Sequence, residues 1–341
     1  MRILITTGIY PPAIGGPAQY AKNLSEAFER GGHTVSIRSF SIEKNLPTGL
    51  RHLLFLFRII PSVITSDIVV AFDTFSVGLP SVVVAKLLGK KIVIRTGGDF
   101  LWEGYVERTG EKVLLRDFYN KSVSKFSAKE RVIFRLTHWT LRNSDKIIFS
   151  TDWQRQIWRG PYNLDMQNTS IVENYYGPKE SSKSPRDKVF IGGTRKIKWK
   201  NIDMLYRAFN KAKETDPELK LDVENSPYDE FVEKIRQSYA VILVSLGDIS
   251  PNMILDSIRL NKPFVVTKEV GIYERIKNIG IFVDPKDEED IRNAIISLSD
   301  SKIYHEQKEK IEQFNFVHTY DEIAREFLDI FEDKTSFHNS K

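Results

Sequence analysis

Six short apolar runs recur through the first half of the chain: RILITT (2–7), TVSIRSF (34–40), DIVVAF (67–72), KIVIRT (91–96), KIIFST (146–151) and TSIVEN (169–174). Helix-length stretches fill most of the intervals. In PAQYAKNLSEAFERGG, for example, Ala18, Leu24 and Phe28 share a helical phase that Gly31-Gly32 stops. Strands alternating with helices imply a parallel, doubly wound sheet. A polar stretch rich in Pro, Ser and Lys follows, YYGPKESSKSPRDK (175–188), and reads as a linker. The pattern then restarts with KVFIGG (188–193), a helix around NIDMLYRAFNKAKE, LKLDV, a short helix near YDEFVEKIRQS, AVILVS, a helix from Pro251, PFVVT and GIFVD. Between Val223 and Ala240 there is room for one helix only, so this second half is expected to have fewer strands. EIAREFLDIFED keeps a last amphipathic phase, and the terminal DKTSFHNSK is expected to be flexible.

A length of 341 residues fits two domains of ordinary size, and the absence of cysteine excludes disulfides and thiolate metal sites. MRILITTGIYPP meets Gly and Pro too early for a signal segment and reads as a first strand, so a cytoplasmic location is expected. The formal charge of +5 is modest, yet residues 112–146 carry nine Lys or Arg against three acids. LRHLLFLFRIIPSVI (50–64) is apolar but broken by Arg51, Arg58 and Pro61, too interrupted to span a bilayer. It reads either as an amphipathic helix packed on a sheet or as a contact for anionic lipid or a lipid-linked substrate. No nucleic-acid module accompanies the basic stretch, and no nucleic-acid partner is expected.

Four stretches could carry chemistry. In YPPAIGGPAQY, Gly15 and Gly16 would let the backbone approach a ligand just before a helix start that favours an anion, or would form a plain turn. The dinucleotide fingerprint G-x-G-x-x-G is absent there. In GGTRKIKWKNID, Arg195 and Lys200 follow a strand end and would suit a diphosphate, unless the loop is merely a solvated basic one. In GDISPNMILD, Ser250 as N-cap and Pro251 at the first helical position start a helix at 250 or 251. The amides of Asn252 and Met253 would then face a phosphate. Asp256, roughly 9 Å along the helix, would suit a ribose, and Asp248 hydroxyls beyond the phosphates. The plainer alternative is an acid pair complementing the helix dipole. In RTGGDFLWEGY, Asp99 stands at a strand end as a cap, a sugar contact or a proton acceptor, with Trp102 and Glu103 behind it.

Together these stretches resemble the GT-B glycosyltransferases of the retaining family 4 type. The likeness covers most of the chain: YPPAIGGPAQYAKNLSEAFERGGHTVSI is similar to the family's opening, TRKIKWKNID to its Arg and Lys pair, GDISPNMILDSIRLNKPFVVTKEVG to its two acids, and RTGGDFLWE to its central loop. The resemblance implies two Rossmann-like domains facing a central cleft, with the second shortened. The expected divisions are an acceptor domain at 1–176, a nucleotide-sugar domain at 177–317, a terminal helix at 318–332 crossing back to the first, and a tail at 333–341. It further implies a nucleotide-sugar donor, a glycan or lipid-linked acceptor, no cofactor and no metal. Arg195 and Lys200 would neutralise the diphosphate, Asp256 would bind ribose, Asp248 would contact the transferred sugar, and Asp99, Trp102 and Glu103 would meet the acceptor. Both acids are Asp where the family usually has Glu, and Asp99 stands where many members carry His. Two further classes are a GT-B scaffold that no longer transfers sugar and a sugar-nucleotide epimerase. Neither the base, the sugar nor the linkage is legible in the residue types.

Overall fold

A computed structural model describes residues 1–13, 15–193 and 197–332. The chain forms two compact units. The first comprises Met1–Leu101, Lys125–Asn174 and the segment from His318, and the second comprises Trp102–Ser124 and Tyr175–Val317.

In the first unit every apolar run becomes a strand: β1 (Arg2–Thr7), β2 (Thr34–Ser39), β3 (Ile68–Phe72), β4 (Lys91–Thr96), β5 (Lys146–Phe149) and β6 (Thr169–Ile171). They form one sheet in the order β2-β1-β3-β4-β5-β6, every pairing parallel. A parallel sheet is covered on both faces, so successive residues such as Leu4 and Ile5, or Val69 and Val70, are all fully buried. The helix Gly16–Arg30 follows β1 and turns Ala18, Ala21, Leu24 and Phe28 inward. The last helix, Tyr320–Phe331, is started by a capping box between Thr319 and Glu322 and lies against Gly16–Arg30, with the Phe327 and Phe28 rings 6.1 Å apart. Strand order reverses direction between β1 and β3, the point at which doubly wound sheets hold ligands beyond their carboxyl ends.

The second unit repeats the winding with one strand fewer: β7 (Val189–Gly192), β8 (Lys220–Asp222), β9 (Ala240–Leu243), β10 (Phe264–Thr267) and β11 (Ile281–Val283), in the order β11-β10-β9-β7-β8. Neighbouring residues feed opposite cores, as the pleat requires. Phe190 and Ile242 join one cluster with Leu205 and Phe209, while Ile191 and Leu243 join another with Ile254 and Phe264. The stretch read as a linker is instead fastened down. Tyr176 is buried, the Lys179 ammonium donates to the carbonyls of Ile258 (2.8 Å) and Ile311 (2.6 Å), and the Glu180 amide donates to the Arg259 carbonyl. Of its charged side chains, Lys179 satisfies helix-end carbonyls and Glu180 and Lys183 form ion pairs, uses that composition alone does not distinguish from solvation.

Candidate functional site

In the second unit the switch point lies between β7 and β9. Arg195 lies outside the described residues. The chain after it forms a short turn, Lys198–Lys200, closed by Asn201 in the left-handed conformation at φ 58° and ψ 32°. Asn tolerates that region better than most residues. The buried Asn201 amide donates to Val244 O (3.2 Å) and Pro285 O (2.7 Å), which fixes the turn to the segments following β9 and β11. The Leu246 amide donates to Trp199 O at 2.9 Å, bringing the loop after β9 alongside. Lys200 Nζ thereby reaches Asp248 Oδ2 at 2.6 Å, with the two side chains 12% and 13% exposed. The same ammonium stands 4.4 Å from the centre of the Trp199 ring.

Residues far apart in the sequence support this pair. The Asp248 amide donates to Glu269 O and its carbonyl accepts from the Gly271 amide, each at 2.9 Å. The buried Glu269 carboxylate is held by Arg116, whose Nε lies 2.6 Å away. Burial raises the Glu269 carboxyl and Arg116 opposes that shift. Trp102 sits beneath the pair: its indole donates to Val113 O at 3.0 Å and its ring centre is 5.5 Å from that of Trp199. A Cβ at Gly247 would come within 2.6 Å of Leu115 Cβ and 3.2 Å of Trp102 Cη2, so the residue before Asp248 has to be glycine. Trp102 was expected among the acceptor contacts; the structure places it as buried packing under the Lys200–Asp248 turn. Glu103 is half-buried in the helix Phe100–Thr109.

The helix expected from 250 or 251 begins at Asn252 and runs to Arg259, because Pro251 stays extended at φ −73° and ψ 111°. Asn252 is exposed, Ser250 and Met253 are half-buried and Pro251 is buried. Asp256 is 6% exposed, accepting from the Tyr228 hydroxyl (3.1 and 3.3 Å) and from Arg259 Nη2 (3.0 Å). Arg259 also engages Glu180, which Arg236 binds at 2.7 Å. Burial raises the Asp256 carboxyl while Arg259 opposes that shift. Asp256 is thus one member of a built network with Tyr228, Arg259 and Glu180.

In the first unit, Gly15 adopts φ 153° and its carbonyl accepts from Ala18 and Gln19, opening the helix at Gly16. Asp99 is 2% exposed and its carboxylate accepts from the Trp158 indole at 2.8 Å, a buried anchor below the exposed Gly97-Gly98 backbone. Sequence reasoning missed Asp73, which follows β3 at the switch point and accepts from the amides of Phe75 (2.9 Å), Val77 (3.0 Å) and Gly78 (3.1 Å). Burial outweighs those donors and pushes its carboxyl up to about 6. It also missed Arg95, buried at the end of β4. Among the described residues no group of three His, Asp or Glu side chains could hold a metal ion.

No family model matches the chain, and no curated protein matches it. Solved structures do. Sucrose-phosphate synthase from Thermosynechococcus elongatus superposes with a TM-score of 0.71 at 10% identity, covering 98% of this chain and 99% of its own. WaaG, a glycosyltransferase involved in lipopolysaccharide biosynthesis, gives 0.67 at 11% identity over 97% and 99%. HepE from Anabaena, solved with UDP, gives 0.65 at 12% identity over 98% and 100%. The fold is GT-B, two Rossmann-like parallel-sheet domains of six and five strands.

Proposed function

We propose that the chain is a retaining, metal-independent glycosyltransferase that moves a sugar from a nucleoside diphosphate sugar to a glycan, lipid-linked or polysaccharide acceptor. The observation that carries this reading is the Lys200–Asp248 pair, 2.6 Å apart at the β7/β9 switch point of a fold shared with a structure solved with UDP. An arriving diphosphate would draw the ammonium to itself, with Arg195 as second cation, and so free the Asp248 carboxylate for hydroxyls of the sugar. Placing a fixed cation on the departing phosphate lowers the barrier where charge develops. The amides of Asn252 and Met253 would take a phosphate oxygen, and Asp256 with Tyr228 the ribose. Asp99 would act by anchoring the chain just after Gly97-Gly98 to Trp158, next to the acceptor. Retention would follow from attack on the face the phosphate leaves, through an oxocarbenium-like state.

Thermal shift and hydrolysis with UDP-, GDP- and ADP-sugars, each with and without EDTA, test the donor. One base class should stabilise the protein regardless of EDTA, by about 2.7 kcal/mol at a hundred times its dissociation constant. No response to any nucleotide would leave a GT-B scaffold as the better reading. Product analysis by NMR should show the donor's anomeric configuration kept; inversion would remove the retaining mechanism.

A membrane-associated acceptor, met at the cytoplasmic face, is favoured by one specific observation. No helix among the described residues is long and apolar enough to cross a membrane. However, helix Thr48–Thr65 exposes Leu50, Leu53, Phe57 and Ile64, each by more than half. Helix Ala128–Asn143 exposes Val132 and Trp139 among Arg131, Arg135 and Arg142. Exposed apolar side chains on the first helix, and apolar side chains interspersed with exposed cations on the second, suit an anionic bilayer surface.

A further inference from the structure

Arg95 is 8% exposed, and among the described residues no carboxylate lies within salt-bridge distance of it. Its Nη2 donates to the side-chain oxygen of Asn174, its Cζ lies 4.3 Å from the centre of the Tyr20 ring, and its Nε has no partner. An arginine keeps its charge in any protein environment, so this is a buried cation held by one neutral acceptor and one ring face. The Tyr20 hydroxyl, buried beside it, faces the guanidinium and has no further hydrogen-bond partner. More groups of this kind gather at the same end of the sheet: Thr74 Oγ1 after β3, Ser150 Oγ after β5 and Gln154 Oε1 in the helix that follows. Buried polar groups are normally satisfied. A concentration of unsatisfied ones at the carboxyl edge of a doubly wound sheet, where such folds take ligands, marks a place built for a polar guest. Access is provided for: Gly97 and Gly98 are exposed, and a Cβ at Gly97 would lie 2.1 Å from Arg95 Nη1, so the guanidinium lies directly under a ledge of bare backbone.

We propose that Arg95, with the Tyr20 hydroxyl, binds a single oxyanion group of the acceptor, a phosphate or a carboxylate. The planar fork offers its unused donors to two oxygens of one such group, the geometry in which arginine recognises both anions. The identity of this guest as acceptor rests on the transferase reading; the anion site itself stands on the geometry of the first unit.

The test is a thermal-shift titration of the full chain with inorganic phosphate, glucuronate and glucose at constant ionic strength set with chloride. It compares wild type with Arg95→Met, Arg95→Lys and Gly97→Ala. Phosphate or glucuronate should raise Tm while glucose does not, and the anion that acts identifies the group. Arg95→Met and Gly97→Ala should weaken that response about tenfold or more, with Arg95→Lys between them and wild type. Without anion, Arg95→Met should melt at or above wild type, since it removes an uncompensated buried charge. If Arg95→Met melts well below wild type and neither anion acts on wild type, Arg95 is a strut between β4 and Asn174 and the proposal falls. An anion response of equal size in Arg95→Met also overturns it. A nucleotide-sugar panel run on the same samples separates the two readings. Loss of all nucleotide response with an intact Arg95-dependent anion response would sink the transferase and leave this site standing.

Discussion

Lys200 and Asp248 form a pair whose members are worth less alone than together. Lys200→Ala should lower turnover about 10²- to 10³-fold, the size seen when one stabiliser of developing charge is lost. Because it also strands the Asp248 carboxylate, the single variant should melt below the Lys200→Ala/Asp248→Ala double, which a two-by-two melting series would check. Near-normal turnover in the single variant would remove the diphosphate role. Asp73 gives a pH prediction. Its folded-state pKa of about 6 lies above the usual value for Asp, so protonation favours the folded form. Stability should therefore be gained as pH falls through 6 and level off below about 4, by at most about 3 kcal/mol, and be lost again as pH rises. Asp73→Asn should flatten that profile in denaturant titrations across the range. Lys200 and Asp248 were legible because each follows an apolar run at a strand end. Arg116 with Glu269, and Tyr228 with Asp256, were not, because each pairing joins residues from separate elements and leaves no local pattern.

At the scale of elements, the helix Thr48–Thr65 separates packing from exposure within three residues: Phe55 is fully buried and Phe57 is 59% exposed. Phe55→Ala should cost about 3–5 kcal/mol in chemical denaturation. Phe57→Ser should leave stability within about 0.5 kcal/mol. If the exposed apolar row meets a bilayer, Phe57→Ser should nonetheless reduce flotation with anionic liposomes; wild type that fails to float at low salt removes the lipid contact. The strands were legible because a sheet covered on both faces demands unbroken apolar runs, and such runs are conspicuous. The helix start at Asn252 was displaced because proline at 251 took the extended geometry it also favours. The strap from Tyr175 was misread because a lysine bonded to carbonyls looks, in sequence, like one in solvent.

For the molecule as a whole, the terminal helix is part of a core rather than an appendage. Ile323, Ala324, Phe327, Ile330 and Phe331 are all buried, and each large side chain contributes on the order of 1.5–3 kcal/mol. A chain ending at Val317 should therefore lose the cooperative melting of the first unit and expose Phe28, visible as dye binding at ambient temperature; a sharp native-like transition would count against this. The return point of that helix carries one more consequence. The chain leaves the first unit after Asn174 and re-enters at His318, and the His318 ring bonds the Asn174 carbonyl at 3.2 Å. The long excursion between them is thus a loop tied at its neck, and the entropy of closing such a loop grows only with the logarithm of its length. Residues can be added to or removed from the second unit without loosening the knot that the first unit folds around, so the five-stranded sheet is where this architecture can change size most cheaply.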